Sequence, residues 1–239
     1  MQPSIPWRAL RATLSLPGLV LAGSMVGFGG FAHDAGWTFL DVALATSLIW
    51  ALPAQVILIG SLASGAGIAA TLAVVSISSI RLLPMVCSLL PQLRREGTRL
   101  LTLVAASHYV AQTVWILGLL NLEKIEREER MAFFFWMANL TVLLSLASCF
   151  AGYQLSGQLP RPFAVALLML TPISFLLSTA KTATRFDTGL AFALGLALLP
   201  IAHAVAPLVG LGTWDLLITG LIAGSLAFTA GHLSERRAS

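Results

Sequence analysis

Charged residues are scarce in this chain of 239 residues, because Asp, Glu, Lys and Arg together make up only 10% of it. Soluble domains usually carry about 25% charged residues, so the chain has too few polar side chains to cover a surface in water. Hydrophobic residues make up 57% of the sequence, and the mean hydropathy is +0.88. This composition is typical of an integral membrane protein in contact with the lipid bilayer.

Several kinds of chemical site are also missing. No carboxylate lies deep in an apolar segment, since the aspartates are all at segment edges: Asp34, Asp41, Asp187 and Asp215. The two cysteines, Cys87 and Cys149, have no metal-site or disulfide spacing. Neither HExxH nor GxSxG occurs. We therefore expect no cofactor, no metal and no enzyme activity, and nothing positive supports an intramembrane hydrolase or transferase.

Eight apolar segments follow one another, at about 13–31, 42–62, 66–92, 100–120, 132–152, 163–180, 188–206 and 214–232. They are continuously apolar and do not alternate, which favours helices over a membrane barrel. We interpret the first segment as a transmembrane helix and not as a signal peptide. The sequence thus predicts an all-α polytopic bundle of about seven to eight transmembrane or partly broken helices, forming a single integral membrane domain over residues 1–239.

The basic residues predict the orientation of the chain. Their excess is modest, 14 Lys and Arg against 10 Asp and Glu, and is expected in cytoplasmic loops, so it indicates no nucleic-acid partner. Arg8 and Arg11 place the N-terminus in the cytoplasm. If every segment crossed, however, the arginine-rich stretch 94–99 and the pair at 236–237 would lie outside. One broken or re-entrant segment in each half restores the rule; the alternative is that the rule is violated.

Prolines interrupt three of the apolar segments, at Pro53, Pro84 and Pro172, the last preceded by Thr171. Proline inside a helix removes a hydrogen bond and crowds the preceding turn. Pro53 and Pro172 are 119 residues apart, close to half the chain. Interrupted segments in corresponding positions of two halves indicate a transporter built from an internal repeat. Proline kinks are also common in membrane helices of every function.

Two polar residues stand out beside these breaks. Arg81 lies within the apolar run "SSIRLLPMVCSLLPQL", and an ionisable residue at such a depth is a functional candidate, unless it reaches an interface from the end of a shorter helix. Ser78 is three residues before Arg81 and would share its helical face. Gln55 follows Pro53 by two residues, where an amide either completes the hydrogen bonds of a broken helix or binds substrate.

Two further groups of polar residues lie within apolar segments. His108, Gln112 and Trp115 are spaced i, i+4 and i+7, which predicts one face of a helix over 100–120 and a cavity-lining role. Asn139 with Trp136 three residues earlier makes a similar case in the fifth segment. Ordinary packing is the alternative for both groups.

The order of these motifs resembles the AzlC family, the large subunit of branched-chain amino acid exporters, over nearly the whole chain. The resemblance is carried by "WALPAQ", "SSIRLLPMVCSLLP", "ASHYVAQTVW", "FFFWMANLTVLLSLASCFAGYQLSGQLP" and "ALLMLTPISFLLS". Gln55 matches the glutamine of the family's break, Arg81 is the one residue kept from its Asn-x-Arg-His element, and Asn139 matches its fifth-span asparagine. The family's acidic pair falls near Ser107 and His108 and is missing here.

The resemblance implies a bacterial inner-membrane exporter of neutral, branched-chain or other apolar amino acids, working with a small hydrophobic AzlD-like subunit. Half-helix ends near Pro53 and Pro172, assisted by Arg81, would hold the substrate carboxylate. The candidate substrate-binding residues are Gln55, Arg81, Ser78, His108, Gln112 and Asn139. Those expected to line the pocket or mark helix breaks are Pro53, Pro84, Trp115, Trp136, Thr171 and Pro172. The alternative function is a non-transporting membrane scaffold or accessory subunit, with Arg81 anchoring a partner or a lipid headgroup.

Overall fold

The computed structural model describes residues 4–158, 160–182, 186–205 and 215–238, and its regular structure in these ranges is helical. The helices are α1 (Ile5–Thr13), α2 (Leu16–Asp34), α3 (Phe39–Leu48), α4 (Leu52–Ala63), α5 (Ile68–Ser79), α6 (Leu83–Leu93), α7 (Leu100–His108), α8 (Gln112–Asn121), α9 (Arg130–Gln154), α10 (Arg161–Thr182), α11 (Phe186–Val205) and α12 (Asp215–Ala238). Two 3-10 turns cover Ile80–Leu82 and Leu122–Lys124. The prediction of an all-α protein is confirmed.

The chain forms two compact units, residues 1–171 and 172–239. In the C-terminal unit α11 packs on α12. Buried positions of α12 recur every four residues, at Thr219, Ala223 and Ala227, so one face of this helix is covered. The single integral membrane domain and the internal repeat stay predictions.

Among the described residues, three helices are long and apolar enough to cross a membrane: Leu16–Asp34, Ile68–Leu93 and Arg130–Gln154. A fourth candidate is the pair Leu100–His108 and Gln112–Lys124, which is bent by 117° at its break. Four further apolar helical stretches among these residues are shorter: Phe39–Leu48, Leu52–Ala63, Gly189–Val205 and Thr219–Gly231. Seven to eight crossings therefore stay a prediction, while three to four candidate spans are observed.

The N-terminal unit is built around close packing of α2 against α9. A Cβ atom added at Gly29 would collide with the carbonyl oxygen of Cys149, and one added at Gly152 would collide with that of Val26. Both glycines are needed because the two backbones touch at these points.

Helices α2 and α9 run in the same direction. Before α2 begins, the Thr13 hydroxyl donates to the carbonyl oxygen of Met137 at 3.3 Å. Where both helices end, the Ser156 hydroxyl donates to Asp34 Oδ1 at 2.6 Å. The ends of α2 and α9 thus define one end of the unit, here called the opposite end.

The basic segments meet at the other end of this unit. Arg8 Nη2 donates to the carbonyl oxygen of Lys124 at 2.6 Å. Arg95 Nη1 donates to the carbonyl oxygen of Glu128 at 3.3 Å, and its Nη2 lies 3.5 Å from Glu128 Oε1. The N-terminal helix, the loop after α6 and the segment before α9 therefore share one end, here called the basic end.

These contacts show which segments return to the end where they began. α2 leaves the basic end and finishes at the opposite end. The continuous helix Ile68–Leu93 has 26 residues, about 39 Å, and finishes at the basic end, so it begins far from it. The α3–α4 pair connects the end of α2 to the start of this helix in the chain, and both of these points lie at the opposite end. The pair therefore starts and ends at the opposite end. The α7–α8 pair starts after Arg95 and finishes at Lys124, both at the basic end.

Both pairs thus return, within this unit, to the end at which they began, and they begin at opposite ends; they are called re-entrant in this sense. The 42–62 segment fits the non-crossing segment expected from the basic residues in the first half of the chain, and the number of membrane crossings stays a prediction. Because it returns, the stretch 94–99 comes back to the end that holds Arg8.

Local sequence explains how α3 and α4 start. The Thr38 hydroxyl accepts from the Asp41 backbone N–H at 3.3 Å, and Asp41 Oδ2 accepts from the Thr38 N–H at 3.0 Å, which is a capping box. Pro53 lies in the first turn of α4, where a missing N–H costs nothing. The break itself is at 49–51, just before Pro53.

The interruption expected at Pro84 is present as a change of helix type and does not divide the apolar span. α5 continues into α6 through the 3-10 turn Ile80–Leu82, and the resulting helix counts as one apolar span. Pro84 lies in the first turn of α6. The tighter 3-10 turn absorbs the lost hydrogen bond without ending the helix.

The expected single helix over 100–120 was wrong. α7 ends at His108 and α8 begins at Gln112, so His108, Gln112 and Trp115 do not share one helical face. The break contains neither proline nor glycine. Contacts from other helices, described below, hold this break in place. The spacing of residues along the chain does not predict such contacts.

Candidate functional site

Three interruptions of the helices meet at one open groove of about 610 Å³. The lining residues come from 48–51 in the α3–α4 break, from 75–86 on both sides of the 3-10 turn, and from 107–110 in the α7–α8 break. This groove is called the break groove. Most of its wall is apolar, with polar groups at the breaks themselves.

His108 joins the tips of the two re-entrant pairs. Its Nε2 lies 3.0 Å from the carbonyl oxygen of Ser47, the next-to-last residue of α3. A carbonyl oxygen only accepts, so Nε2 is the donor of this hydrogen bond. His108 also lines the break groove, as expected for a cavity-lining residue.

Asn139 fixes the α7–α8 break from α9. The Tyr109 hydroxyl donates to Asn139 Oδ1 at 3.1 Å, while Asn139 Nδ2 donates to the carbonyl oxygen of Phe135 at 2.8 Å. The next residue, Val110, is buried in the core. Asn139 therefore orients the break from outside the break groove, and Trp136 on the same helix is about half exposed.

Gln55 bridges the α3–α4 break. Its side chain is fully buried, and Nε2 donates at 3.1 Å to the carbonyl oxygen of Ala45. This oxygen also accepts from the Ile49 backbone N–H, so Gln55 adds a second hydrogen bond at the end of α3. Its Oε1 has no hydrogen-bond partner in the described structure. Of the two roles expected for this amide, the structure shows the hydrogen bond that completes a broken helix; substrate binding stays a prediction.

Trp50 lies in the same break and is 8% exposed. It lines the break groove, and its indole N–H, like Gln55 Oε1, has no partner within the described residues. One unpaired donor and one unpaired acceptor therefore lie within five residues of each other in the chain. Buried polar atoms are nearly always paired, so two exceptions at one break are unusual.

Trp115 and Gln112 lie on α8, away from the lining of the break groove. Trp115 Nε1 donates to the Ser88 hydroxyl at 2.8 Å, which ties α8 to α6. Gln112 is the first residue of α8, is half-buried, and makes no side-chain hydrogen bond to any described residue. Its expected role in substrate binding stays a prediction.

Arg81 and Ser78 are not brought into the break groove, although Ile80 and Leu82 line it. Arg81 is exposed and has no hydrogen bond or ion pair within the described residues. Ser79 takes the place expected for Ser78: it lines the break groove and donates to the carbonyl oxygen of Val75 at 2.9 Å.

Pro53 and Pro84 flank the break groove, each in the first turn of a helix that begins there. Thr171 and Pro172 fall within α10, but their side chains lie outside the described residues, so their expected contribution stays a prediction. Sequence reasoning missed Trp50, Ser76, Ser79 and Ser107. Trp50 directly precedes "ALPAQ", so the sequence could have indicated that it lies next to the break.

The ends of four helices meet around the break groove. α3 and α7 finish there with carbonyl groups, and α4 and α8 begin just after it with N–H groups. Helix ends carry partial charges of opposite sign, positive at the N-terminus and negative at the C-terminus. The arrangement therefore offers both signs of charge beside an apolar wall. Within the described part of the chain, no group of three or more His, Cys, Asp or Glu side chains could hold a metal ion.

Comparison with known proteins gives one match. Searches of curated proteins and of solved structures find no similar protein. The family model described as AzlC protein matches residues 18–159, more than half of the chain, and this range contains α3 to α9 with all three interruptions of the break groove. The resemblance seen in the sequence motifs is confirmed: the chain belongs to the AzlC family, a family of membrane transport proteins.

Proposed function

We propose that this chain is the large subunit of an exporter of neutral, apolar amino acids, with branched-chain amino acids as its first candidates. In this proposal it works with a small hydrophobic AzlD-like subunit in the bacterial inner membrane, and its basic end faces the cytoplasm. The meeting of three helix interruptions at the break groove is the observation that carries the proposal. Broken helices whose ends face a cavity are a recurring substrate site in transporters.

The chemistry of the break groove fits a zwitterion with an apolar side chain. The N–H groups at the starts of α4 and α8 would face the carboxylate, and the carbonyl groups that end α3 and α7 would face the ammonium. Leu48, Val75 and Val86 would contact the substrate side chain. His108 would add an acceptor through Nδ1, because Nε2 is engaged by Ser47.

The two re-entrant pairs supply a way to alternate access. They enter from opposite ends of the unit and are joined at their tips by the His108–Ser47 hydrogen bond. Movement of one pair would open the break groove toward one end of the unit, while the groove stays closed toward the other end. The Trp50 N–H and Gln55 Oε1, which are buried without a described partner, lie in the α3–α4 break that would move.

Arg81 favours a second candidate function, a membrane scaffold. Other helices cover little of the helix Ile68–Leu93 that carries Arg81, since only 11% of its apolar stretch is buried. The guanidinium has no partner among the described residues. In the exporter proposal Arg81 assists the substrate carboxylate; in the scaffold alternative it anchors a partner or a lipid headgroup.

Efflux of leucine and valine from cells loaded with dipeptides tests the proposal, with and without the small subunit. We expect Gln55→Ala and Arg81→Ala to abolish efflux while membrane insertion is kept. The matched controls are Gln154→Ala and Arg127→Ala, both exposed and away from the break groove, and they should export normally. Normal efflux in both variants would reject the roles proposed for Gln55 and Arg81, and lost complex assembly in a chain that never exports would establish the scaffold.

A further inference from the structure

A second groove lies at the basic end and is lined by three cations. It has a volume of about 560 Å³ and runs between α1, the start of α2, the end of α8 and the start of α9. Arg8, Arg11 and Lys124 line it together with apolar residues, and it contains no carboxylate. This cavity is called the basic groove. It shares no residue with the break groove.

The charges of the basic groove are not neutralised by the protein. None of the three cations forms an ion pair with a described residue, although Glu123 precedes Lys124 in the chain. Arg8 is held in place by its hydrogen bond to the carbonyl oxygen of Lys124. Such a cluster of like charges is unfavourable unless an anion from outside the chain binds it.

The side chain of Arg11 is also positioned. Its guanidinium carbon lies 5.4 Å from the centroid of the Trp7 ring, within the range of a cation–π contact. Trp7 is about half exposed. Tryptophan is enriched where headgroups meet the apolar core of a membrane, so this pair marks the headgroup level.

One flank of the basic groove is apolar and exposed. Leu16 and Leu120 both line it, and their side chains are 75% and 53% exposed. Leu16 begins the apolar span α2, and Leu120 lies in the last turn of α8. The basic groove therefore presents cations at its mouth and leucines toward the span, which is the polarity of a phospholipid.

We propose that the basic groove binds the phosphate headgroup of an anionic phospholipid, with the acyl chains lying along Leu16 and Leu120. Arg11 and Lys124 contact the phosphate directly, because neither makes a hydrogen bond to the protein, and Arg8 completes the positive field. Basic pockets between membrane helices bind such headgroups through the same combination of charge and apolar contact. The proposal is independent of the transported substrate.

The test measures thermal unfolding of the purified full chain in neutral detergent while lipid is added. Phosphatidylglycerol is expected to raise the unfolding temperature, and phosphatidylcholine and inorganic phosphate are not. In the Arg11→Gln/Lys124→Gln variant the half-saturating phosphatidylglycerol concentration should rise about 30-fold, at about 1 kcal/mol for each lost cation. Both side chains are exposed and make no hydrogen bond or ion pair with a described residue, so the variant is expected to fold.

The matched control is Arg94→Gln/Arg99→Gln, which removes two exposed cations at the same end but outside the basic groove. It should respond to phosphatidylglycerol like the unchanged chain. Equal stabilisation by phosphatidylcholine, stabilisation by inorganic phosphate alone, or an equal loss in the control variant would each overturn the proposal.

Discussion

His108 and Ser47 hold the tips of two re-entrant helix pairs together, with His108 Nε2 3.0 Å from the carbonyl oxygen of Ser47. The residues are 61 positions apart in the chain and belong to pairs that enter the unit from opposite ends. This hydrogen bond lies at the break groove. A motion of either pair would therefore change both the length of this bond and the shape of the groove.

Replacing His108 tests this link. His108→Ala removes the donor to Ser47 and should lower efflux at least tenfold, with a loss of about 1 kcal/mol in the free energy of unfolding. His108→Gln retains an N–H donor on a long side chain and should keep part of the activity. Efflux rates and thermal unfolding in detergent give the two readouts.

The control for this prediction is His33→Ala. His33 is exposed at the opposite end, beside Asp34 and away from the break groove. It should export and unfold like the unchanged chain. Full activity of His108→Ala would show that the contact between the tips is dispensable for transport.

Gln55 is predicted to stabilise the α3–α4 break. Gln55→Ala removes one of the two donors to the carbonyl oxygen of Ala45, which keeps its bond from the Ile49 backbone N–H, and should cost about 0.5–1.5 kcal/mol in the free energy of unfolding. Thermal or denaturant unfolding in detergent measures the loss. Gln154→Ala, at the exposed last residue of α9, should change stability little. Equal effects of the two substitutions would contradict the bridging role.

Gly152 is predicted to be required for the contact of α2 with α9. In Gly152→Ala the new methyl group meets the carbonyl oxygen of Val26, so the helices must separate, at a cost of about 1–3 kcal/mol. Gly60→Ala is the control, because a Cβ atom at Gly60 in α4 meets nothing within 4 Å. It should be neutral or slightly stabilising, since alanine favours a helix. Equal losses in the two variants would argue against the close approach.

The re-entrant pairs predict a pattern of exposure on the two sides of the membrane. Single cysteines introduced by Ala35→Cys and Ser64→Cys, in a cysteine-free background, should react with an impermeant thiol reagent from one side. Those introduced by Glu96→Cys and Glu126→Cys should react from the other side. Labelling of positions 35 and 64 from different sides, or of positions 96 and 126 from different sides, would show that the topology is wrong.

Composition and continuous apolar segments were enough to predict an all-α membrane protein, and Pro53 placed the first break within a few residues. The second proline, Pro84, lies beside a milder interruption. At Pro84 the chain needs only a 3-10 turn, because proline is tolerated in the first turn of a helix. A proline therefore marks a position at which a new helix can start. Whether the preceding helix ends there depends on the surrounding packing.

The α7–α8 break could not be predicted from local sequence. "SHYVAQ" has no proline or glycine, and the break is held by the hydrogen bonds of His108 and Tyr109 and by the burial of Val110. The residue facing the break groove beside Arg81 was also not evident from the sequence. One residue turns a helix by about 100°, so Ser79 lines the break groove and Ser78 does not.

The central claim is that the break groove holds the amino acid during transport, and protection of a residue in its wall tests this most directly. In a cysteine-free background, the labelling rate of Ser79→Cys by a thiol reagent is measured with and without leucine, and Ser64→Cys, in the turn after α4, is the control. The account predicts that leucine slows labelling at position 79 and leaves position 64 unchanged. Equal rates at position 79 with and without leucine, in a chain that still exports leucine, would contradict it.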